Sequence, residues 1–462
     1  MSGTTSGLDT QKRIDVEALI DRSPVGRFQV RMLLMCALCL IMDGFDVQAM
    51  GYVAPALIAE WGVPRAALGP VFGAGLFGML VGSLVFSVVA DRYGRRPVLI
   101  GATLFFAACM LATPQVRSIG ELTALRFITG LGLGAIMPNA MALAGEYSPR
   151  RVRVTIMMLI SCGFTVGAAL GGFVSVALIS SFGWQAVFYF GGAVPLVLAL
   201  CMLFLLPESL QLLVLQRRKT PQVHQWLRRI DPSVVLTADT QLVVQEPAKG
   251  GPPMVQLFRE GRTGPTLLLW AINFMNLINL YFLSNWLPTI MTAAGYSQST
   301  AVLAGTALQV GGIIGTLSLG RIIDRIGFGR VLVPCFLLAA VTIALIGVPG
   351  IGIAVLFTAI TIAGFCIVGG QPAVNALAAS YYPTSLRSTG VGWSLGIGRF
   401  GSILGPVVGG ALIGLEWSNS ALFLAAAVPA VLSCIMVACL RLWGVGEVSA
   451  PGESQTRNVP AH

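Results

Sequence analysis

Twelve long apolar segments, separated by short polar ones, limit what this chain can fold into. Each is close to or above the roughly 20 residues that a helix needs to cross about 30 Å of hydrocarbon. They lie near residues 32–58, 66–90, 98–116, 121–146, 154–181, 184–206, 264–291, 297–320, 331–349, 352–381, 388–415 and 418–440. Open sheets leave unpaired backbone groups in lipid, and the segments lack the alternation of barrel strands. The sequence therefore predicts twelve membrane-spanning helices.

The composition indicates that a bilayer is the solvent of this chain. Hydrophobic residues make up 55% of the 462 residues and charged residues 10%, with a mean hydropathy of +0.82. In soluble domains about a quarter of the residues are charged. So few charges could not cover the apolar surface of a soluble chain of this length. We therefore expect an all-α membrane protein.

The basic residues predict the orientation of the spans. Of the 29 Lys and Arg residues, 25 lie in the termini, the central linker and alternate loops, whereas only Arg65 and Arg117 lie in the other loops. Basic loops stay on the cytoplasmic side, so both termini should be cytoplasmic. This distribution explains the net charge of +10 without a nucleic-acid partner. The first apolar segment is too long for a signal peptide and should remain as a spanning helix of the inner, or plasma, membrane.

The two halves of the chain repeat the same signals. Asp91 after the second segment matches Asp324 after the eighth, and Arg153 after the fourth matches Arg387 after the tenth, at offsets of 233 and 234 residues. Parallel halves with a binding site between them are a known transporter plan. We divide the chain into a cytoplasmic amino-terminal segment, a six-helix half, a cytoplasmic linker, a second six-helix half and a cytoplasmic tail: 1–31, 32–206, 207–262, 263–443 and 444–462.

The linker is rich in proline and arginine. This composition is typical of a mostly disordered connector. The alternative is an amphipathic turn at Trp226 to Ile230 that lies on the lipid headgroups.

Four ionisable residues lie deep inside the predicted spans: Asp43, Asp46, Arg126 and Arg399. Each costs about 2.5 to 3.5 kcal/mol to insert, so they should face a wet cavity or one another, either as working groups or as static salt bridges. At about 1.5 Å per residue, Asp43 and Arg399 fall near mid-depth. Asp46 and Arg126 lie nearer to the outside, where they can approach each other.

These charges have separable roles in proton and anion binding. Asp43 and Asp46 share a helix face, where two like charges disfavour ionisation of both, as suits a proton carrier. Both histidines lie outside the spans, so the aspartates must carry protons. Arg126 would pair with Asp46 and release it when a proton arrives. A guanidinium matches a carboxylate bidentately, so Arg399 at mid-depth is predicted to hold an anionic cargo.

Aromatic and amide side chains near the same depth complete the predicted site. Aromatic rings can sandwich a cargo ring, although each ring taken singly is more typical of packing. Amides in the seventh span can bond ring hydroxyls or neighbouring helices. The predicted substrate-binding residues besides Arg399 are Phe45, Asn276, Tyr281, Trp286, Trp393 and Phe400.

Several motifs resemble those of the major facilitator superfamily. Residues 87–96, SVVADRYGRR, are similar to its general signature, with Ser87 where glycine is usual. The motifs that resemble the aromatic acid:proton symporters within it are DGFD at 43–46, RFITGLGLGAIMPN at 126–139, EYSP at 146–149, NLYFLSNWLP at 279–288 and YPTSLRSTGVGWSLGIGR at 382–399. The resemblance covers nearly all of residues 27–445 and implies the major facilitator fold.

The resemblance also implies gates on the cytoplasmic face. Asp91 and Asp324 would latch the inside shut against the positive ends of facing helices, although the residues alone fit a plain loop cap equally well. The residues expected to act in gating are Asp91, Arg92, Arg95, Glu146, Asp324, Arg325 and Arg387.

Together these features predict a proton-coupled symporter that imports a small aromatic carboxylate, of the benzoate or hydroxybenzoate type, by alternating access. The alternative is a proton-coupled transporter of a non-aromatic organic anion such as a sugar acid. The sequence contains no GxxxxGK[ST] loop, metal-ligand cluster or nucleophile–base set, so we expect no enzyme activity, metal or cofactor. The expected partners are the aromatic carboxylate, protons and lipid, and we expect a monomer that serves aromatic catabolism.

Overall fold

The computed structural model describes residues 13–215, 220–232, 234, 241–243, 253–259, 261–383 and 386–442. The first part contains β1 Arg13–Asp15, α1 Val16–Arg22, α2 Arg27–Trp61, α3 Leu68–Tyr93, α4 Arg95–Ala112, α5 Ile119–Tyr147, α6 Arg150–Phe182 and α7 Gln185–Leu205, with short 3-10 helices at Arg65–Ala67 and Thr113–Gln115. The linker contains α8 Leu210–Leu215, α9 Thr220–Ile230, β2 Gln241–Val243 and α10 Pro253–Gln256. The second part contains α11 Thr263–Ala293, α12 Gln298–Ile326, α13 Phe328–Ile346, α14 Ile353–Ile367, α15 Gly370–Tyr381, α16 Arg387–Gly414 and α17 Asn419–Leu442. The predicted tail, 444–462, lies outside the described residues.

Twelve helical segments are long enough to span a membrane, as predicted. Eleven described segments combine this length with high hydropathy, and one of them, Ile353–Tyr381, joins α14 and α15 across a break in the helix. The twelfth is α2, a helix of 35 residues that carries Asp43 and Asp46. The chain is thus a multi-pass, all-α membrane protein.

The two halves have the same internal packing. In the amino half α3 packs along α5 and α2 along α6, and in the carboxyl half α12 packs along α14 and α11 along α16. Gly78 leaves no room for a Cβ beside the Phe127 carbonyl, and Gly311 leaves none beside the Thr361 carbonyl. Gly78 and Gly311 are 233 residues apart, the offset that separates Asp91 from Asp324. The sequence repeat therefore corresponds to a repeated helix contact.

The repeated signature forms the same turn in each half. Gly94 ends α3 with φ of +116°, and Gly327 ends α12 with φ of +89°. An L side chain rarely adopts this conformation, so glycine permits the sharp turn into the next helix. Each turn places the preceding Asp and Arg at the end of a span.

The ends of the spans define two faces. We call the one that carries Asp91 to Arg96, Arg150 to Arg153 and Asp324 to Arg330 the basic face, and the other the opposite face. The halves meet near the opposite face, where Gly69 of α3 packs on Gly410 of α16 and Gly172 of α6 packs on Thr306 of α12. At the basic face the turns after α3 and α12 are exposed. The molecule is closed at the opposite face and open at the basic face.

Neutral hydrogen bonds join the halves near the opposite face. The Gln48 amide donates to the Ser284 carbonyl at 2.6 Å. The Gln309 amide donates to Gln48 Oε1 at 3.0 Å and to Ser284 Oγ at 3.1 Å. All three side chains are buried, so these bonds are shielded from water. The Trp286 indole N–H donates to the Pro406 carbonyl at 2.9 Å beside them.

The described part of the linker is more ordered than its composition suggested. The helix α9 packs against α8 and α2, with Trp226, Leu227 and Ile230 buried. For residues 220–230 the expectation of a disordered connector is wrong, and so is the alternative of an amphipathic turn on headgroups. The apolar side of α9 is covered by the protein itself, because Trp226 and Leu227 are withdrawn from lipid as well as from water.

Candidate functional site

A buried ion pair joins α2 to α5. Arg126 Nη2 lies 2.8 Å from Asp46 Oδ2, and Arg126 Nη1 lies 3.3 Å from Asp46 Oδ1. The Asp46 side chain is 0% exposed and that of Arg126 is 6% exposed. Two parallel bonds use the fork of the guanidinium fully. The structure confirms the pairing that their depths predicted.

A cavity adjoins this pair. It lies between α2, α3, α5 and α11, so residues of both halves form its wall. Besides Asp46 and Arg126, its lining includes Met50, Phe72, Leu76 and Asn285. The wall is mostly apolar with charge at one end, which is the usual character of a small-molecule site.

Asp43 lies one turn nearer to the basic face on α2 and differs from Asp46. Its side chain is fully buried, and neither oxygen has a hydrogen-bond partner in the described part of the chain. Arg399 and Asp46 are the charges that act on it. Burying an ionised carboxylate without hydrogen bonds is costly, so Asp43 is a site at which a proton relieves an unfavourable contact.

Arg399 faces this region from the carboxyl half. Glycines let α16 approach α11 closely: Gly401 leaves no room for a Cβ against Phe274, and a Cβ on Gly398 would lie 3.0 Å from Asn273 Oδ1. Arg399 is half-buried, and no ion pair or side-chain hydrogen bond to it occurs among the described residues. It contrasts with Arg126, whose fork is occupied. A half-buried guanidinium without an anion can accept a carboxylate from a cargo.

Two of the predicted aromatic residues lie close to these charges or beside an open surface. Tyr281 is buried, and Asp43 and Arg399 both act electrostatically on its hydroxyl. Trp393 is 41% exposed and stacks on Trp270 with the ring centroids 5.9 Å apart. Tyr281 therefore belongs to the charged site, whereas Trp393 lies on the same helix as Arg399 but nearer to the basic face.

The other three predicted aromatics are placed elsewhere. Phe45 packs inside the amino half, with its ring 5.6 Å from that of Phe190. Trp286 is fully buried at the closed side, edge-on to Phe72 at 5.1 Å. Phe400 is 53% exposed. The positions of Phe45 and Trp286 favour packing and closure over contact with a cargo in this conformation.

Sequence reasoning missed a cluster of neutral polar side chains in the carboxyl half. Three helices contribute to it: α11, α15 and α16. Its members, which we call the amide cluster, are Asn273, Asn276, Gln371, Asn375 and Ser394. Of these only Asn276 was predicted. Gln371 and Asn375 are four residues apart in a span, and that spacing was the available signal for a shared polar face.

The predicted gating residues fall into two groups. Arg95 and Glu146 form an ion pair at the basic end of the amino half, and the Ser209 hydroxyl donates to Glu146 at 2.7 Å. Glu208, which was not predicted, accepts from the backbone N–H of Arg95 at 2.9 Å and so caps α4. The remaining predicted gating residues are exposed at the basic face: Asp91, Arg92, Asp324, Arg325 and Arg387. Among the described residues no ion pair joins Asp91 or Asp324 to a facing helix.

Comparisons with known proteins cover nearly the whole chain. The model of the Major Facilitator Superfamily matches residues 36–315 and 269–460. The 4-hydroxybenzoate transporter PcaK of Pseudomonas putida is 42% identical over 92% of this chain and 95% of that protein. The gallate transporter of Pseudomonas putida is 38% identical over 95% of this chain and 98% of that protein. A solved bacterial homologue of the human lysosomal transporter Spinster has the same fold, with a TM-score of 0.70 at 16% identity over 93% of this chain and 100% of that one.

Proposed function

Because the chain belongs to the Major Facilitator Superfamily, we propose that it is a symporter that carries a small aromatic carboxylate across the membrane together with protons. Two relatives that match it along nearly their whole length are named for 4-hydroxybenzoate and gallate. Both cargoes join a benzene ring to a carboxylate. Transport of this class of anion needs a cationic group that no protein anion already occupies.

The observation that carries the proposal is the unequal pairing of the four buried charges. Asp46 and Arg126 satisfy each other within the amino half. Asp43 has no hydrogen-bond partner and Arg399 no ion-pair partner among the described residues, although each acts electrostatically on the other. An incoming carboxylate on Arg399 and a proton on Asp43 would satisfy both groups at once. The proposed binding site therefore lies between the halves, as alternating access requires.

The proposed coupling follows from charge balance. The four buried residues sum to zero charge. A proton on Asp43 leaves the site with one positive charge, and the carboxylate of the cargo restores neutrality. Neither ligand is favoured alone, because each by itself leaves a net charge in a poorly solvated site. Asp46 and Arg126 would maintain a neutral wall beside the cavity.

The proposed orientation places the basic face in the cytoplasm, with both termini on that side. The excess of basic residues at this face supports it. The structure then corresponds to an inward-open state, and the bacterial relatives suggest the inner membrane. The latch roles of Asp91 and Asp324 belong to the outward-open state and remain predictions.

Direct binding to the purified protein tests the cargo. We expect 4-hydroxybenzoate and benzoate to bind, and 4-hydroxybenzamide and glucuronate to bind at least tenfold more weakly. Arg399→Ala should abolish binding, and Arg399→Lys should weaken it because an ammonium lacks the planar fork. Arg117→Ala, at an exposed position on the opposite face, is the control and should bind normally.

Two results would overturn this proposal. Equal affinity for the uncharged amide would remove Arg399 from carboxylate binding, and a preference for glucuronate would point to a non-aromatic anion. Uptake into liposomes tests coupling separately. A pH gradient, acid outside, should drive accumulation of 4-hydroxybenzoate above its external concentration, and failure to accumulate would refute symport.

A further inference from the structure

The amide cluster has an unmet hydrogen bond inside the carboxyl half. The Asn276 amide N–H groups donate to Gln371 Oε1 at 2.6 Å and to the Ile367 carbonyl at 3.2 Å. Both of its donors are thus used. Asn276 Oδ1 is buried and has no partner in the described part of the chain. This oxygen can only accept, so whatever completes it must bring an N–H or O–H donor.

The break between α14 and α15 explains part of this arrangement. The helix is interrupted after Ile367, and the freed Ile367 carbonyl takes its hydrogen bond from Asn276. A purely structural role would account for the Asn276 N–H groups in this way. It leaves Oδ1 without a partner, and a buried acceptor without a partner costs free energy. The cost is explained if the oxygen meets a ligand during transport.

The neighbouring members leave an open edge on the cluster. The Gln371 amide donates to Asn273 Oδ1 at 2.8 Å, and the Asn273 amide donates to Ser394 Oγ at 3.1 Å. Gln371 and Asn375 are only half-buried, whereas Asn273 and Asn276 are fully buried. A small polar group could therefore reach the cluster from the side of α15 without unfolding it.

The cluster lies next to the proposed carboxylate site. A Cβ on Gly398 would lie 3.0 Å from Asn273 Oδ1, and Arg399 is the next residue on α16. Ser394 and Arg399 are five residues apart, about 7.5 Å along the helix axis. This separation is comparable to the length of a benzene ring that carries substituents at opposite ends.

We propose that the amide cluster, through Asn276 Oδ1 and the Gln371 amide, receives a ring hydroxyl of the aromatic acid whose carboxylate Arg399 holds. This inference rests on the proposed function and adds the group that distinguishes hydroxylated acids from benzoate. A phenol donates its proton to Asn276 Oδ1 and accepts from an amide N–H, so it fits a site of unmet acceptors and shared donors. A second carboxylate would not fit, because it has no proton to donate.

The test compares dissociation constants for ligands that differ at one ring position. Wild-type protein should bind 4-hydroxybenzoate about tenfold more tightly than benzoate, the worth of one neutral hydrogen bond. It should bind 4-aminobenzoate, which also donates, more tightly than 4-methoxybenzoate, which does not. Asn276→Leu and, separately, Gln371→Met should bring the 4-hydroxybenzoate to benzoate ratio close to one and leave benzoate affinity unchanged.

Asn279→Leu is the matched control. Asn279 is a buried amide on the same helix, but its side chain lies against the Ala426 carbonyl and the Ala430 N–H of α17. Its loss should lower stability and leave the ligand ratio as in wild type. An equal fall of the ratio in Asn279→Leu, or an unchanged ratio in both cluster variants, would overturn the inference.

The outcomes separate this inference from the function on which it rests. Binding of both benzoates that depends on Arg399 but does not favour the hydroxyl refutes the amide cluster alone. Absence of binding to every aromatic acid refutes the proposed function and the inference with it. If neither cluster variant folds, the wild-type comparison of the amino and methoxy ligands decides, and tighter binding of 4-methoxybenzoate would refute the need for a donor.

Discussion

The two buried aspartates of α2 should respond in opposite ways to the same substitution. Asp46→Asn removes one partner of a buried ion pair and leaves Arg126, 6% exposed, without a counter-charge. Breaking such a pair costs about 3 to 5 kcal/mol. For a cooperative unit the size of one six-helix half, this corresponds to a fall of roughly 6 to 20 °C in the unfolding midpoint.

Asp43→Asn should have a much smaller effect. No hydrogen bond to Asp43 is lost, because neither of its oxygens has a partner in the described residues. If Asp43 carries a proton in this conformation, asparagine replaces one neutral group by another of similar size, and we expect a change within about 1 kcal/mol. The substitution is therefore a control for Asp46→Asn at an equally buried position three residues away.

Heat unfolding of both variants in the same detergent, followed by tryptophan fluorescence, measures the difference. Asp43→Asn should also retain exchange of labelled for unlabelled cargo and lose uphill accumulation, because its side chain can neither gain nor release a proton. If Asp43→Asn destabilises the protein as much as Asp46→Asn, Asp43 is ionised and paired, and the proposed proton site is wrong. Normal uphill accumulation by Asp43→Asn would refute its coupling role independently.

Two further predictions concern the contacts between helices. Gln309→Leu removes two hydrogen bonds between the halves near the opposite face, so a cysteine introduced at Met50, in the cavity wall, should react faster with a reagent added from the opposite face; unchanged labelling would contradict the role of these bonds. Gly78→Val should prevent assembly because a side chain meets the α5 backbone, whereas Gly101→Val, where nothing lies within 4 Å, should be tolerated; equal yields of monodisperse protein would contradict the packing argument.

The sequence predicted the spans and the ion pair because both depend on local rules. Insertion into lipid is decided by the length and hydropathy of each segment, and depth follows from counting residues along a helix. Asp46 and Arg126 were thus placed at similar depths before any contact was known. The repeat at offsets of 233 and 234 residues likewise predicted parallel halves, and Gly78 and Gly311 give that repeat its physical form.

The rest of the site depends on how each helix is rotated about its axis, which residue counts do not supply. Depth alone could not distinguish Tyr281, beside Asp43 and Arg399, from Phe45, which packs against Phe190. The amide cluster was missed for the same reason, because Gln371 meets Asn276 only through the facing of α15 and α11. Trp226 was misjudged because an apolar helix face fits lipid and protein equally well.

The charge count predicts how uptake should respond to the membrane potential. Asp43, Asp46, Arg126 and Arg399 sum to zero, and a poorly solvated site reorients most readily when it carries no net charge. One carboxylate and one proton keep it neutral, so the loaded carrier should cross without moving charge. A net charge would add about 2.3 kcal/mol for each 100 mV. In liposomes with equal pH on both sides, a potassium diffusion potential of either sign should leave the initial uptake of 4-hydroxybenzoate unchanged. Uptake that rises when the inside is negative would show that more than one proton accompanies each anion, and a second group, with Asp46 the first candidate, would then have to take up a proton.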